Sequence, residues 1–292
     1  MVKIIADSTC DLTKELLKEY DISILPLHVL CDDKEYLDGV DITQQELFTW
    51  AESNKTTPKT SAPGIVDAQE LIRPFAEEGR EVVCITISDG FSTTGNVFQL
   101  AADSINDDIG KNVVHIINSK NLSTGIGLLV MEAAVMAKEG ESAEKIIEHI
   151  NKLIPCVRAS FVVDTLTYLH RGGRCSGVVA LAGGALKLHP KIVVKNGKME
   201  VVKKYRGNMK NVLIQYTYEM LNDFMNARKE RVFITHAACD KEIVKAVHDY
   251  IEGLGIFEEI IETSAGCVIS SHCGPGTLGV LFIENYIKQM GA

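Results

Sequence analysis

Glu81-Val82-Val83-Cys84-Ile85-Thr86-Ile87-Ser88-Asp89-Gly90-Phe91-Ser92-Thr93-Thr94 passes from a β-branched apolar run, through a Gly-containing polar turn, into a segment of helical period over residues 94–106. Strand, loop and helix in that order are the repeating unit of α/β layers with a mainly parallel sheet. The alternation extends both ways. Residues 3–6 and 22–28 read as strands, with a helix over 13–20 between them capped by Ser8, Thr9 or Asp11. Helices follow at 44–52, behind Asp41-Ile42-Thr43, and at 65–77, broken by Pro74. Beyond residue 106 come a strand at 112–118, a long apolar helix at 123–137 and a helix at 143–154 ended by Pro155.

A second series begins with a strand at 159–163 and a Gly-rich stretch from Arg171-Gly172-Gly173-Arg174 to Gly183-Gly184. Residues 191–202 are two β-branched runs around Asn196-Gly197, a strong local hairpin signal. Strands at 231–235, 258–264 and 279–284 and helices at 208–228 and 241–254 complete it. At 292 residues the chain exceeds the roughly 250–300 at which a single core stops growing, which predicts two α/β domains, 1–155 and 156–292.

The net charge of -9 argues against nucleic-acid or anionic-membrane binding, both of which need a basic surface to displace counterions. Eight cysteines are scattered with no CxxC, and Cys84 sits inside an apolar run, so reduced thiols and a cytoplasmic location are expected. The N-terminus lacks the apolar core of a signal peptide, and no stretch reaches the ~20 apolar residues of a membrane helix. No His/Cys/Asp/Glu cluster has metal-ligand spacing, so no metal is expected.

Three loops gather groups that can turn toward a ligand: Thr60-Ser61-Ala62-Pro63, Ser88 to Thr94, and His272-Cys273-Gly274-Pro275-Gly276. Together they suggest a pocket for one small anion. Thr60, Ser61 and Ser92 are the residue types that cap helices, and a helix start also attracts anions. His272 in its turn has two open roles. As an N–H donor or cation it holds a carboxylate; as a base it activates Ser92, with Asp7 as the acid, giving a serine hydrolase for acyl esters. Gly90-Phe91-Ser92-Thr93-Thr94 lacks the second Gly of a nucleophile elbow. Arg171, Arg174, Lys187, Lys191, Lys203, Lys204 and Arg206 form a basic cluster in an acidic chain, either a solvated face or a patch for an acidic partner.

Ile5-Ala6-Asp7-Ser8-Thr9-Cys10-Asp11-Leu12, Thr60-Ser61-x-Pro63, Ser88-x-x-x-Ser92-x-Thr94, Arg171-Gly172-Gly173-Arg174-x-Ser176, Leu186-x-x-x-Pro190, Asn196-Gly197 and His272-x-Gly274-Pro275-Gly276 occur in that order from end to end. This series resembles the DegV family of bacterial fatty-acid-binding proteins, some of which are the acyl-carrying subunit of a fatty-acid kinase. The resemblance implies two α/β domains with a long-chain fatty acid in a tunnel and its carboxylate near the domain interface. By position in the motifs, Thr60, Ser61, Ser92, Thr93 and His272 would meet the carboxylate, and Arg171, Arg174 and Arg206 would engage the kinase. It further implies a carrier with no catalytic residue and no cofactor beyond the lipid. Composition alone nominates residues 125–137 and 178–188 as tunnel walls. The chain departs from the family pattern at Ala62, where Gln is usual, and at Thr93, where Gly is usual.

Overall fold

The computed structural model describes residues 1–175 and 188–285. The first apolar run is β1 (Lys3–Asp7), followed by α1 (Lys14–Glu19) and β2 (Ile22–Leu25). Thr13 caps α1, accepting from Leu16 N–H, so the expected caps serve elsewhere. Ser8 and Thr9 form a 3-10 turn that Asp7 caps, and the Asp11 carboxylate reaches residue 266. The strand expected over 22–28 ends at Leu25, because Pro26 has no N–H to donate and the next N–H, of Leu27, goes to Ser8 Oγ at 3.1 Å. The chain restarts as β3 (His28–Cys31) in a different sheet, with β4 (Lys34–Leu37) and β5 (Lys59–Ser61) around helix α2 (Gln44–Asn54).

Helix α3 (Ile65–Glu77) is not broken at Pro74: proline's φ suits a helix, only one bond is lost near the end, and Ala68, Ile72 and Ala76 bury the inner face. The units β6 (Val82–Thr86), α4 (Thr94–Ile109), β7 (Val114–Asn118), α5 (Thr124–Lys138) and α6 (Ala143–Leu153) follow as expected within a few residues. β2-β1-β6-β7 is one wholly parallel sheet.

After β8 (Val157–Val162) and the short α7 (Thr167–Gly172), the hairpin β9 (Leu188–Lys195) and β10 (Lys198–Arg206) turns at Asn196 and Gly197, whose φ values are both positive, 50° and 76°. That is the conformation Asn-Gly favours. The helix expected over 208–228 is shorter: α8 (Met209–Glu219) and the one-turn α9 (Leu221–Phe224) give way to β11 (Ala227–Ala237). Then come α10 (Lys241–Gly253), β12 (Glu259–Ser264), α11 (Cys267–Cys273) and β13 (Thr277–Glu284). The second sheet runs β10-β9-β8-β13-β11-β12 and is antiparallel except at β11-β12, so the mainly parallel expectation holds for the first sheet alone.

Helix α5 explains how the sheets meet. It packs on β1 of the first sheet and on β8 and β13 of the second. Being enclosed on both sides, it is apolar nearly all round, with Ile126, Leu129 and Val130 in one core cluster with Ile4, Phe161 and Leu281. The small β4-β3-β5 sheet packs against the far end of the chain: Leu27, Val29 and Leu47 share a cluster with Cys267 and Val268 of α11. All eight cysteines are free and buried. Among the described residues no helix is long and apolar enough to cross a membrane.

Candidate functional site

The strand β6 delivers Ser88 to Thr94 to the edge of the parallel sheet, where α4 begins. Ser92 Oγ caps this helix, accepting from Thr94 N–H at 3.2 Å and pairing with Thr94 Oγ1 at 2.8 Å. Thr93, at the helix boundary, points to an exposed position. Thr60 and Ser61 lie on β5, a short strand and not a loop, hydrogen-bonded to β3.

His272 also differs from expectation, since it sits in the last turn of α11 and not in an irregular turn. Two buried carboxylates from the start of the chain hold that helix at its other end. Asp11 Oδ1 accepts from Gly266 N–H at 2.8 Å and Asp38 Oδ1 from Cys267 N–H at 2.6 Å. Their second oxygens take Ser123 Oγ at 2.5 Å and Ser8 Oγ at 2.8 Å. Burial pushes Asp38 up and Asp11 well up from the ordinary carboxylate range, partly offset by these bonds. Nearby, burial raises Asp7 to about 6 although Thr9 and Ile87 donate to it.

The His272 ring is held on both sides. Its Nε2 pairs with Thr60 Oγ1 at 2.8 Å. Its Nδ1 is buried without a partner and faces Gly172, where a Cβ would stand 2.5 Å away, so only glycine fits at that point of α7. Burial, and then the positive charge of Arg174, push His272 down to about 4. The ring is therefore neutral at pH 7 and can act as an N–H donor, not as a cation. Since its unfolded value is near 6.5, stability from the neutral ring is full above about pH 6.5 and is lost as pH falls toward 4. We expect His272→Gln, which does not titrate, to lose less stability than the wild type between pH 7 and pH 4.5 in denaturant titrations; equal losses would contradict a depressed His272.

Thr60, Ser61, Ser92, Thr93 and His272 all line one cavity of about 400 Å³, with Ile87, Phe91, Leu122, Val268 and Ile269 as its apolar wall. Two further liners are Asp89, which the sequence reading passed over, and Arg174, which it assigned to a partner surface. The signal for Asp89 was its place in the same strand-end loop as Ser92. Leu122, Met199, Ile269 and His272 also bound a second, narrow cavity of about 60 Å³, whose other walls include Phe161, Leu169, Ala265 and Leu281. The polar chamber and the apolar one thus adjoin across His272, Leu122, Met199 and Ile269. Of the expected tunnel walls, α5 lines neither cavity; only Leu122 and Ser123, just before it, do so, because the helix is consumed in joining the sheets. The other wall, 178–188, lies outside the described residues up to Leu188, as do Ser176, Leu186 and Lys187.

The geometry does not assemble a hydrolytic triad. Ser92 bonds to Thr94, His272 to Thr60, and Asp7 to Thr9 and Ile87. Arg171 is exposed on α7, beside the cavity through its neighbour Gly172, and Arg206 is exposed at the end of β10. Of the other cluster members, Lys203 pairs with Glu219 at 2.6 Å and Lys191 stacks over Tyr216. His248, Asp249 and Glu252 come within ligand distance of one another on α10, which spacing alone had not indicated. None of the three lines either cavity, and Asp249 is already paired with Lys245 at 2.6 Å.

Two sheets sharing a buried helix, with a hydroxyl-lined chamber beside an apolar one, define an α/β protein with an amphipathic cleft. The family model described as "Uncharacterised protein, DegV family" matches residues 1–285, and the chain belongs to the DegV family. It is 32% identical over 288 residues to a DegV domain-containing protein of Caldanaerobacter subterraneus, covering 97% of this chain and 99% of the relative. It is similar to the solved structure of a fatty-acid-binding DegV family protein from Thermus thermophilus, with TM-score 0.88 and 29% identity over 97% of this chain and 99% of the other. A stearic-acid-binding protein from Eubacterium ventriosum matches with TM-score 0.84 and 31% identity over 98% and 99% of the two chains.

Proposed function

We propose that this protein binds a long-chain fatty acid, carboxylate in the hydroxyl-lined chamber and acyl chain in the apolar one, and presents the carboxylate to a fatty-acid kinase. The observation that carries the reading is the meeting of Thr60, Ser61, Ser92, Thr93 and His272 in one cavity that shares a wall with an apolar one. The apolar chamber, at about 60 Å³, takes only the first few methylenes as it stands and must widen for the rest; full burial of some 15 methylenes gains on the order of 12 kcal/mol gross at ~0.8 kcal/mol each, before the costs of association and of that opening. A buried carboxylate without donors would forfeit much of that, and the hydroxyls, with Thr60 oriented by the neutral imidazole N–H, and Arg174 supply them. Met199 at the junction is unbranched and deformable, suited to parting around a chain. In this reading the units 1–155 and 156–292 each furnish one wall of the cleft, and the exposed Arg171 and Arg206 face the kinase.

Denaturing extraction of the purified protein followed by mass spectrometry tests the carrier reading. About one long-chain fatty acid per chain is expected; protein that arrives empty and then takes up none when offered it overturns the reading. Arg206→Ala should leave fatty-acid affinity within about twofold of wild type while slowing kinase-dependent consumption of the bound lipid, as expected for a surface charge away from the ligand. Arg174→Ala should weaken both, because that side chain lines the chamber.

A further inference from the structure

Asp89 is the one carboxylate, and Arg174 the one cation, among the described residues lining the outer chamber. The remaining polar liners are hydroxyls and the neutral ring of His272. Asp89 is exposed but anchored. Its Oδ2 accepts from Asn118 Nδ2 at 2.6 Å, and its Oδ1 presses against Gly95 so closely that a Cβ there would collide with it. Gly95 belongs to the first turn of α4, so this carboxylate stands beside the start of the helix that Ser92 and Thr93 begin, where its charge opposes that of the helix end. An anion entering the chamber meets a helix start whose field is partly cancelled, and a fixed negative charge beside it.

We propose that Asp89 is a specificity-determining residue of this site, favouring singly over doubly charged head groups. The inference rests on the fatty-acid reading above. Repulsion from a fixed charge scales with the charge of the incoming group. A factor that weakens a monoanion is therefore roughly squared for a dianion. A carboxylate carries one charge and an alkyl phosphate nearly two above its second pKa of about 6. Asp89 thus separates fatty acids from phosphorylated amphiphiles of the same chain length, which the apolar chamber cannot tell apart.

The test compares laurate and dodecyl phosphate on the delipidated full chain at pH 8, wild type against Asp89→Asn, an isosteric change at an exposed position. Laurate should tighten about threefold and dodecyl phosphate about tenfold, as expected for one screened charge at a partly solvated site. At pH 5, where the phosphate is nearly a monoanion, its gain should fall to about threefold, as expected for one charge in place of two. Asp89→Ser should reproduce the pH 8 ratio should the asparagine variant prove unstable. Equal gains for both probes at pH 8, or none, overturn the inference while leaving the carrier reading intact. Failure of wild type to bind laurate would overturn both.

Discussion

Gly90→Ala is expected to lower the free energy of unfolding by about 1–3 kcal/mol, the range for forcing an extra methyl into close packing, and to weaken long-chain fatty-acid binding with it. A Cβ on Gly90 would collide with the carbonyl oxygen of Gly197 at the tip of the β9-β10 hairpin. That carbonyl also accepts from the buried Ser88 Oγ at 2.9 Å, so the collision and the bond act at the same point. No rotamer relieves a clash with backbone; the hairpin tip must retreat from the β6-α4 loop. Met199, two residues from that tip, would then withdraw from both cavities. Gly253→Ala, at a helical site where a Cβ meets nothing within 4 Å, is the control and should be neutral or slightly stabilising. Urea titrations of the two variants decide the matter. Equal stabilities would mean that the hairpin tip yields freely and does not fasten the two sheets.

His272→Ala should cost about 1–3 kcal/mol of fatty-acid affinity, five- to more than a hundredfold, the range for stranding a hydrogen-bonding group at a buried site. The 2.8 Å contact of Nε2 with Thr60 Oγ1 makes the ring and the hydroxyl one unit. With the ring donating to Thr60, the threonine O–H is free to donate to the ligand, and losing either partner breaks the relay. Thr60→Val should therefore cost nearly as much as His272→Ala, and the double variant little more than either alone. Displacement of a fluorescent fatty acid measures all three. Full additivity would separate the two residues, and unchanged affinity in both single variants would remove them from the head-group site.

What could be read ahead of the structure followed from how local the physics was. β1 and β6 are central strands buried along their whole length around apolar runs, and Asn196-Gly197 encodes its own turn, so both were legible. β4 and β5 were not: Lys34–Leu37 and Lys59–Ser61 are short and polar, and their strand geometry comes from pairing with β3. Helix α11 was missed for a related reason. Its seven residues are too few to display a helical period, and the groups that cap it, Asp11 and Asp38, stand 255 and 229 residues away in sequence. Thr60, Ser61, Ser92 and His272 were named from the residue types in their loops and Thr93 from its position in the family motifs; Asp89 shares the Ser92 loop and is fixed there by Asn118, whereas Arg174 joins the chamber through the turn after α7.

The long reach of those two caps bears on synthesis. Asp11 and Asp38 leave the ribosome 255 and 229 residues ahead of the N–H groups they satisfy, on Gly266 and Cys267. Until then each carboxylate has a strong reason to remain hydrated, because its native burial without donors is costly. The helix that seats His272 against Thr60 thus closes the molecule end on end, and an interrupted translation product would lack the imidazole and the capped helix together. The chamber that His272 and Thr60 share is therefore assembled only after residues 266–272 have been made.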